Sequence, residues 1–267
     1  MVRIALLGTA ILVVTAVLIP FQWLAVLFEL PARRQIPMLY HRFICALFGV
    51  RVNVVGERRH DHPLLIVSNH VSWLDISVIS SVTPVVFVAR HDVADWPFFG
   101  LLAKLQRTIF VDRKQPLKTA EVNAEIAHRL AGGDPVLLFA EGTSSDGNRV
   151  LPFRSALIGS ARDTLAEASY VRRVWIQPLS IAYIGMLGLP LGRLHRPVVA
   201  WYGDLTLLPH LAGVGRRRAF DVTLTWGEPV AFDANSDRKV VTRTLEHAVR
   251  RLTTGALRGR DLAEARA

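Results

Sequence analysis

"PLLIVSNHVSWLD" runs from Pro63 to Asp75, and the reading of its two halves decides the fold. The first half, 63–69, is a short continuous apolar run that ends at Ser68 and Asn69. That pattern suits a strand buried on both faces at the centre of a sheet. The second half begins a stretch, "VSWLDISVISSV" at 71–82, that reads as a helix. Outward from it the same alternation repeats. Strands are predicted at 50–56, 84–90, 107–113, across "PVLLFAEG" and across "RVWIQPLSIAY", with "VVAWYGD" taken as a further extended run and "AFDVTLTWGEPV" as a strand with a turn. Helices are predicted at 96–105, 116–131, 155–169 and across "SDRKVVTRTLEHAVRRLT". Short apolar strands alternating with helices predict an α/β fold, a mixed and largely parallel sheet flanked by helices.

His70 falls where the central strand meets its helix, the place where α/β folds put their chemistry. Two readings of His70 and Asp75 compete. On one, Ser72 and Asp75 have near capping-box spacing, Asn69 is an equal candidate cap, and His70 is an ordinary turn residue. On the other, His70 lies in the turn before the helix and reaches back to Asp75, whose carboxylate keeps one ring nitrogen protonated and leaves the other as a general base. A pair at i and i+5 stands about 140° apart on an ideal helix, so contact requires His70 to lie outside it.

A second polar block, "LLFAEGTSSDGNRVLPF" at 137–153, ends an apolar strand in Glu141, Gly142 and Thr143. A buried glutamate is costly without a partner, so hydrogen bonds to a substrate hydroxyl or headgroup are one reading and an ordinary strand-end turn the other. Arg113 follows a third strand end and reads as an anion contact or as a salt-bridge partner of Asp112. Pro178 reads as a wall of the site or as the end of strand pairing.

From Ile4 to Phe28 the chain has no charged residue, long enough for a membrane helix that Pro20 is expected to kink or divide. A signal peptide fits poorly, because no small-x-small site follows the run. The next stretch, with Arg33, Arg34, His41 and Arg42 among apolar residues, reads as a second helix at headgroup level. The arginines after the run outnumber Arg3 before it, which keeps the rest of the chain cytoplasmic whether the helix spans or enters one leaflet. The boundaries predicted are 1–49 for this membrane hairpin, 50–256 for the catalytic domain and 257–267 for a C-terminal tail. Net charge is +10, from 32 basic and 22 acidic residues. No nucleic-acid module, zinc pattern or basic helix of suitable period accompanies that charge, so anionic lipid is the expected partner and nucleic acid is not. Cys45 is the single cysteine and reads as packing, so no intrachain disulfide is available. His60 and His62 read as surface turn residues, and no metal is expected.

Taken together and in order, "NHVSWLD", "TIFVDR", "FAEGTSS" and "IQPLSIAY" resemble the blocks of the PlsC-like lysophospholipid acyltransferase superfamily. The resemblance covers residues from about 35 to about 230. It implies acyl transfer from acyl carrier protein or coenzyme A to a lysolipid hydroxyl, without an acyl-enzyme and without a bound cofactor. It also implies His70 as base, Asp75 as its orienting partner, Glu141, Gly142 and Thr143 in the acceptor-binding turn, and Arg113 at the polar head. A bacterial cytoplasmic membrane location is expected, with membrane lipids and acyl carrier protein as partners. Two departures bear on the acceptor: Ala140 replaces the usual proline, and Ser144 replaces an arginine associated with phosphate recognition. Serine cannot supply a bidentate cation, and Arg113, Arg149 and Arg154 are candidate substitutes. With "LLAKLQRTIFVDR", the third block looks most like the lyso-ornithine lipid O-acyltransferase branch. The phosphatidate-forming branch is the alternative. A serine-type hydrolase would need a G-x-S-x-G elbow, which the chain lacks. A noncatalytic lipid-binding protein accounts for the anchor but leaves the strand-end placement of His70, Glu141 and Arg113 unexplained.

Overall fold

The computed structural model describes residues 2–111, 119–167, 172–217 and 219–259. Two helices open the chain, α1 (Val2–Leu27) and α2 (Ala32–Phe48). Then follow β1 (Val50–Val55), β2 (Leu64–Ser68), α3 (Leu74–Val82), β3 (Val86–Arg90), α4 (Phe99–Leu105), β4 (Ile109–Val111) and α5 (Thr119–Ala131). After β5 (Val136–Phe139) come α6 (Gly159–Glu167), β6 (Val174–Met186), β7 (Leu189–Pro190), α7 (Leu207–Arg216), β8 (Phe220–Trp226), β9 (Val230–Phe232) and α8 (Arg238–Leu257). Among the described residues the strands form one mixed sheet in the order β1-β8-β6-β2-β5-β3-β4, with β7 and β9 also pairing β6.

The apolar run at 64–68 is explained by its place in this sheet. Strand β2 lies between β5 and β6 and is parallel to both. Successive side chains of a strand point to opposite faces, and here each face has its own core. Leu64 and Ile66 enter a cluster with α2 and α3, while Leu65 and Val67 enter one with α5, α6 and α8. A strand covered on both sides cannot alternate apolar with polar.

Several sequence expectations are corrected. The helix predicted at 71–82 begins only at Leu74. Pro178 does not end strand pairing: it sits inside β6, opposite Val67, and the strand continues to Met186. The run "VVAWYGD" is not a strand but a short 3-10 turn followed by irregular chain. Pro20 does not divide α1, which is continuous over its 26 residues. His41 does not face outward from α2. It is buried between Ser77 Oγ at 3.1 Å and Gln106 Oε1 at 3.0 Å, and burial pulls its ring down to about 4 despite the Gln106 bond. Cys45 is buried in the core, and Ile44 and Phe48 of the same helix are core residues too.

Helix α1 is long and apolar enough to cross a membrane, yet it packs on the globular body. Two of its polar groups face inward. Thr15 Oγ1 lies 3.0 Å from Tyr40 Oη, and Gln22 Nε2 donates to the carbonyls of Leu105 and Arg33. At the other end Arg3 donates to the Arg216 carbonyl at 3.2 Å. The outer face carries Leu6, Val13, Val17, Phe21, Trp23 and Leu27, all exposed.

Candidate active site

Strand β2 ends at Ser68, and the five residues 69–73 form the turn into α3. Asn69 is not a helix cap. Its buried amide bonds both backbone groups of Ile181 on β6, giving its Nδ2 hydrogen to the carbonyl at 2.9 Å and accepting the N–H at 2.9 Å. The turn is thereby tied to the neighbouring strand one residue before His70.

His70 and Asp75 meet. The His70 Nδ1 to Asp75 Oδ2 distance is 2.8 Å, and the same oxygen accepts the backbone N–H groups of Val71 at 2.7 Å and Ser72 at 3.0 Å. The capping and the chemical readings are therefore one arrangement: the carboxylate caps the helix start, and capping aims it at the imidazole. Ser72 takes part only through its backbone, and its Oγ has no hydrogen-bond partner. Asp75 is fully buried. A carboxylate accepts, so Nδ1 carries the hydrogen and Nε2 is left as the basic nitrogen. The ring stacks on Phe139 at 3.9 Å between centroids, tilted by 16°.

The other carboxylate oxygen has a partner that sequence reading missed. Tyr183 Oη donates to Asp75 Oδ1 at 2.7 Å from a fully buried position on β6. Burial, followed by the Asp75 charge, holds that hydroxyl protonated far above the ordinary tyrosine range, so it is always a donor. A signal existed. Leu179, Ile181 and Tyr183 alternate onto one core face, and a tyrosine on an apolar inward face needs an acceptor for its hydroxyl.

The 141–151 loop packs over the turn. Ser145 donates its N–H to the His70 carbonyl at 2.9 Å, and Ser144 Oγ donates to the Trp201 carbonyl. The Trp201 N–H returns to the Val71 carbonyl at 2.8 Å. Behind the loop lies Arg196, buried, with Nη1 on Asn148 Oδ1 at 2.6 Å and Nη2 on the Leu191 carbonyl at 2.9 Å. Its Cγ and Cδ fill the space a side chain at Gly147 would need. Gly142 takes φ 71, a left-handed conformation at the strand end where a Cβ would crowd the Arg154 side chain.

Glu141 is buried at the foot of this loop. Both carboxyl oxygens are enclosed without a hydrogen bond of normal geometry. Burial pushes the group up to about 8; the nearby backbone N–H of Leu151 opposes this, the Asp75 charge adds to it, and the N–H of His70 opposes it. Thr143, Arg149 and Arg154 are exposed on the loop, and Ser144 is half-buried. Arg113 lies outside the described residues. Trp73 leans on Phe48 and donates Nε1–H to His210 Nδ1 at 3.0 Å, while Phe153 is a core residue.

An acyltransferase family model matches residues 51–182. The lyso-ornithine lipid O-acyltransferase of Brucella abortus (strain 2308) is 48% identical, over 99% of this chain and 98% of its own length. The protein of the same name from Rhizobium meliloti (strain 1021) is 46% identical, over 99% and 90%. A 1-acyl-sn-glycerol-3-phosphate acyltransferase of Neisseria gonorrhoeae is 36% identical over 42% of this chain and 45% of its own. In fold, the crystal structure of the 1-acyl-sn-glycerophosphate (LPA) acyltransferase PlsC from Thermotoga maritima aligns with a TM-score of 0.65 over 95% of each chain, at 21% identity.

Proposed function

This chain belongs to the acyltransferase family, and from that premise we propose that it moves a fatty acyl group from acyl carrier protein or coenzyme A onto the hydroxyl of lyso-ornithine lipid, giving ornithine lipid. The observation that carries the reading is the His70–Asp75 pair with Nδ1 engaged at 2.8 Å. His70 Nε2 takes the proton of the acceptor hydroxyl as that oxygen attacks the thioester carbonyl. The tetrahedral intermediate collapses, the C–S bond breaks, and the imidazolium returns the proton to the departing thiolate. Asp75 and Tyr183 position His70, and Glu141 shapes the loop from inside the protein. Gly142, Thr143 and Ser144 form the acceptor turn, with Arg149, Arg154 and Arg113 as headgroup contacts.

Acceptor choice rests on Ser144, whose hydroxyl is spent on the Trp201 carbonyl and offers no cation. It rests also on relatives that are similar over nearly the whole chain and bear the lyso-ornithine name. The division into a membrane hairpin at 1–49, a catalytic domain at 50–256 and a tail at 257–267 belongs to the same proposal. Helix α1 is about 39 Å long, and the body meets it near both ends, at Arg3 and at Gln22. A perpendicular crossing would draw the Arg34–Asp134 and Arg107–Asp134 ion pairs toward hydrocarbon. Those contacts favour a helix lying in one leaflet, on the cytoplasmic side of the bacterial inner membrane.

The test is an assay of the purified full chain with lyso-ornithine lipid and with 1-acylglycerol 3-phosphate, each offered both thioester donors. Transfer to lyso-ornithine lipid and its abolition by His70→Ala are expected. Preference for the phosphate-bearing acceptor would transfer the assignment to the alternative branch, and full turnover by His70→Ala would end the mechanism.

A further inference from the structure

Strand β6 turns into β7 through Leu187 and Gly188, with Met186 paired to Leu189 across the hairpin. Both loop residues have positive φ, 57 for Leu187 and 79 for Gly188, as a two-residue type I′ turn requires. Such turns favour Asn, Asp or Gly at the first position, and a leucine there is strained by about 1 kcal/mol or more. Local chemistry therefore does not account for Leu187. Nor does packing, since Leu187 is 63% exposed and Leu189 is 71% exposed. A strained, solvent-facing leucine pair at a hairpin tip calls for a partner outside the chain.

The tip connects to the apolar helix α1. The Leu187 N–H bonds the Ala219 carbonyl at 2.8 Å, three residues beyond Arg216. The Arg216 carbonyl accepts from Arg3 of α1, and Gly215 packs against Ile4 and Leu7 of that helix. Exposed Leu208 of α7 and exposed Leu6 of α1 extend the apolar surface, and exposed Arg216 and Arg217 stand beside it. Leucines rimmed by arginines match a bilayer with anionic headgroups, where the apolar tip enters the acyl boundary and the cations stay at the phosphates.

We propose that the β6–β7 hairpin is a second membrane-insertion point, a wedge that enters an anionic bilayer alongside α1. It fixes the roll of the domain about α1, which a single surface helix leaves free. Strand β6 also carries Tyr183, so the wedge is covalently continuous with the strand that positions Asp75. The inference rests on the membrane reading of α1 but is separable from it.

The experiment places an environment-sensitive fluorophore on the full chain at Leu187→Cys, Val17→Cys or Thr244→Cys. Cys45 is buried, and burial pushes its thiol up to about 11, so the introduced thiol is the one labelled. With phosphatidylglycerol-containing vesicles, blue shifts and protection from an aqueous quencher are expected at 187 and 17. None is expected at exposed Thr244, on α8, which packs against the other core. A shift at 17 without one at 187 overturns the wedge and leaves the membrane reading standing; no shift at either overturns both. A shift at 244 equal to that at 187 also overturns it. The double variant Leu187→Asn/Leu189→Ser should unfold no more easily than the parent, because Asn suits the turn, while its partition onto these vesicles falls several-fold. Unchanged partition by this folded variant would refute the proposal.

Discussion

At the scale of the residue, Asp75 is held by four hydrogen bonds. It accepts from His70, Val71, Ser72 and Tyr183 while fully buried. Asp75→Asn keeps the shape, and with its amide oxygen in the Oδ2 position it keeps the Val71, Ser72 and Nδ1 bonds while its amide hydrogens face Tyr183 Oη. The imidazole then keeps its tautomer but loses the negative charge that stabilises the imidazolium formed during transfer. Turnover should fall by roughly 10²-fold, within the share that general base catalysis supplies, while the fold survives; kinetics alongside far-ultraviolet circular dichroism would check this. Glu141 gives a pH-dependent signature. Unfolded, it ionises near the ordinary glutamate value; folded, it keeps its proton up to about 8. Between those values the folded state binds the extra proton, so stability falls as pH rises through the window. Glu141→Gln removes that loss. Its stability relative to the parent should rise with pH by at most about 1.4 kcal/mol per unit, seen in denaturant midpoints at about pH 5 and about pH 8. A constant difference would refute a buried neutral carboxyl.

At the scale of the element, the junction between β2 and α3 is fastened from three directions. Asn69 ties it to β6, the Asp75 carboxylate closes the helix start, and Ser145 holds the His70 carbonyl from the loop above. Asn69→Ala leaves the buried N–H and C=O of Ile181 unpaired, a loss of about 1–3 kcal/mol for each group. Thermal unfolding should show it, and kcat should fall with KM little changed, because the base is loosened and the acceptor turn is not. A change confined to KM would instead place Asn69 in acceptor binding. Arg107 offers a contrast at an element end. Just before β4, Arg107 takes φ 64, with its guanidinium on Asp134 at 2.7 Å.

At the scale of the whole molecule, charge and apolar surface act together. On the membrane association proposed above, the net charge of +10 would attract anionic bilayers over long range and the exposed face of α1 would supply the short-range attachment. Association with vesicles should strengthen with their anionic fraction and weaken with added salt, as the electrostatic part is screened. The apolar part should persist. Co-sedimentation across a salt series separates the two; complete release at high salt would argue against apolar insertion.

The amino-acid sequence by itself determined most of the elements and the placement of His70 and Glu141 just past strand ends, because continuous apolar runs and helical spacing are local signals. It also set His70 and Asp75 close enough in the chain to meet, but left open whether they did. Tertiary structure alone decided what surrounds that turn. Tyr183 and Ile181 reach it from more than a hundred residues away, and Trp201 and Arg196 back the loop from irregular chain. It decided too that Glu141 faces inward and that α1 lies along the body. The physical reason is one of range: hydrophobic periodicity is set by neighbours in the chain, whereas the partners of a buried polar group are set by which strands the sheet brings side by side.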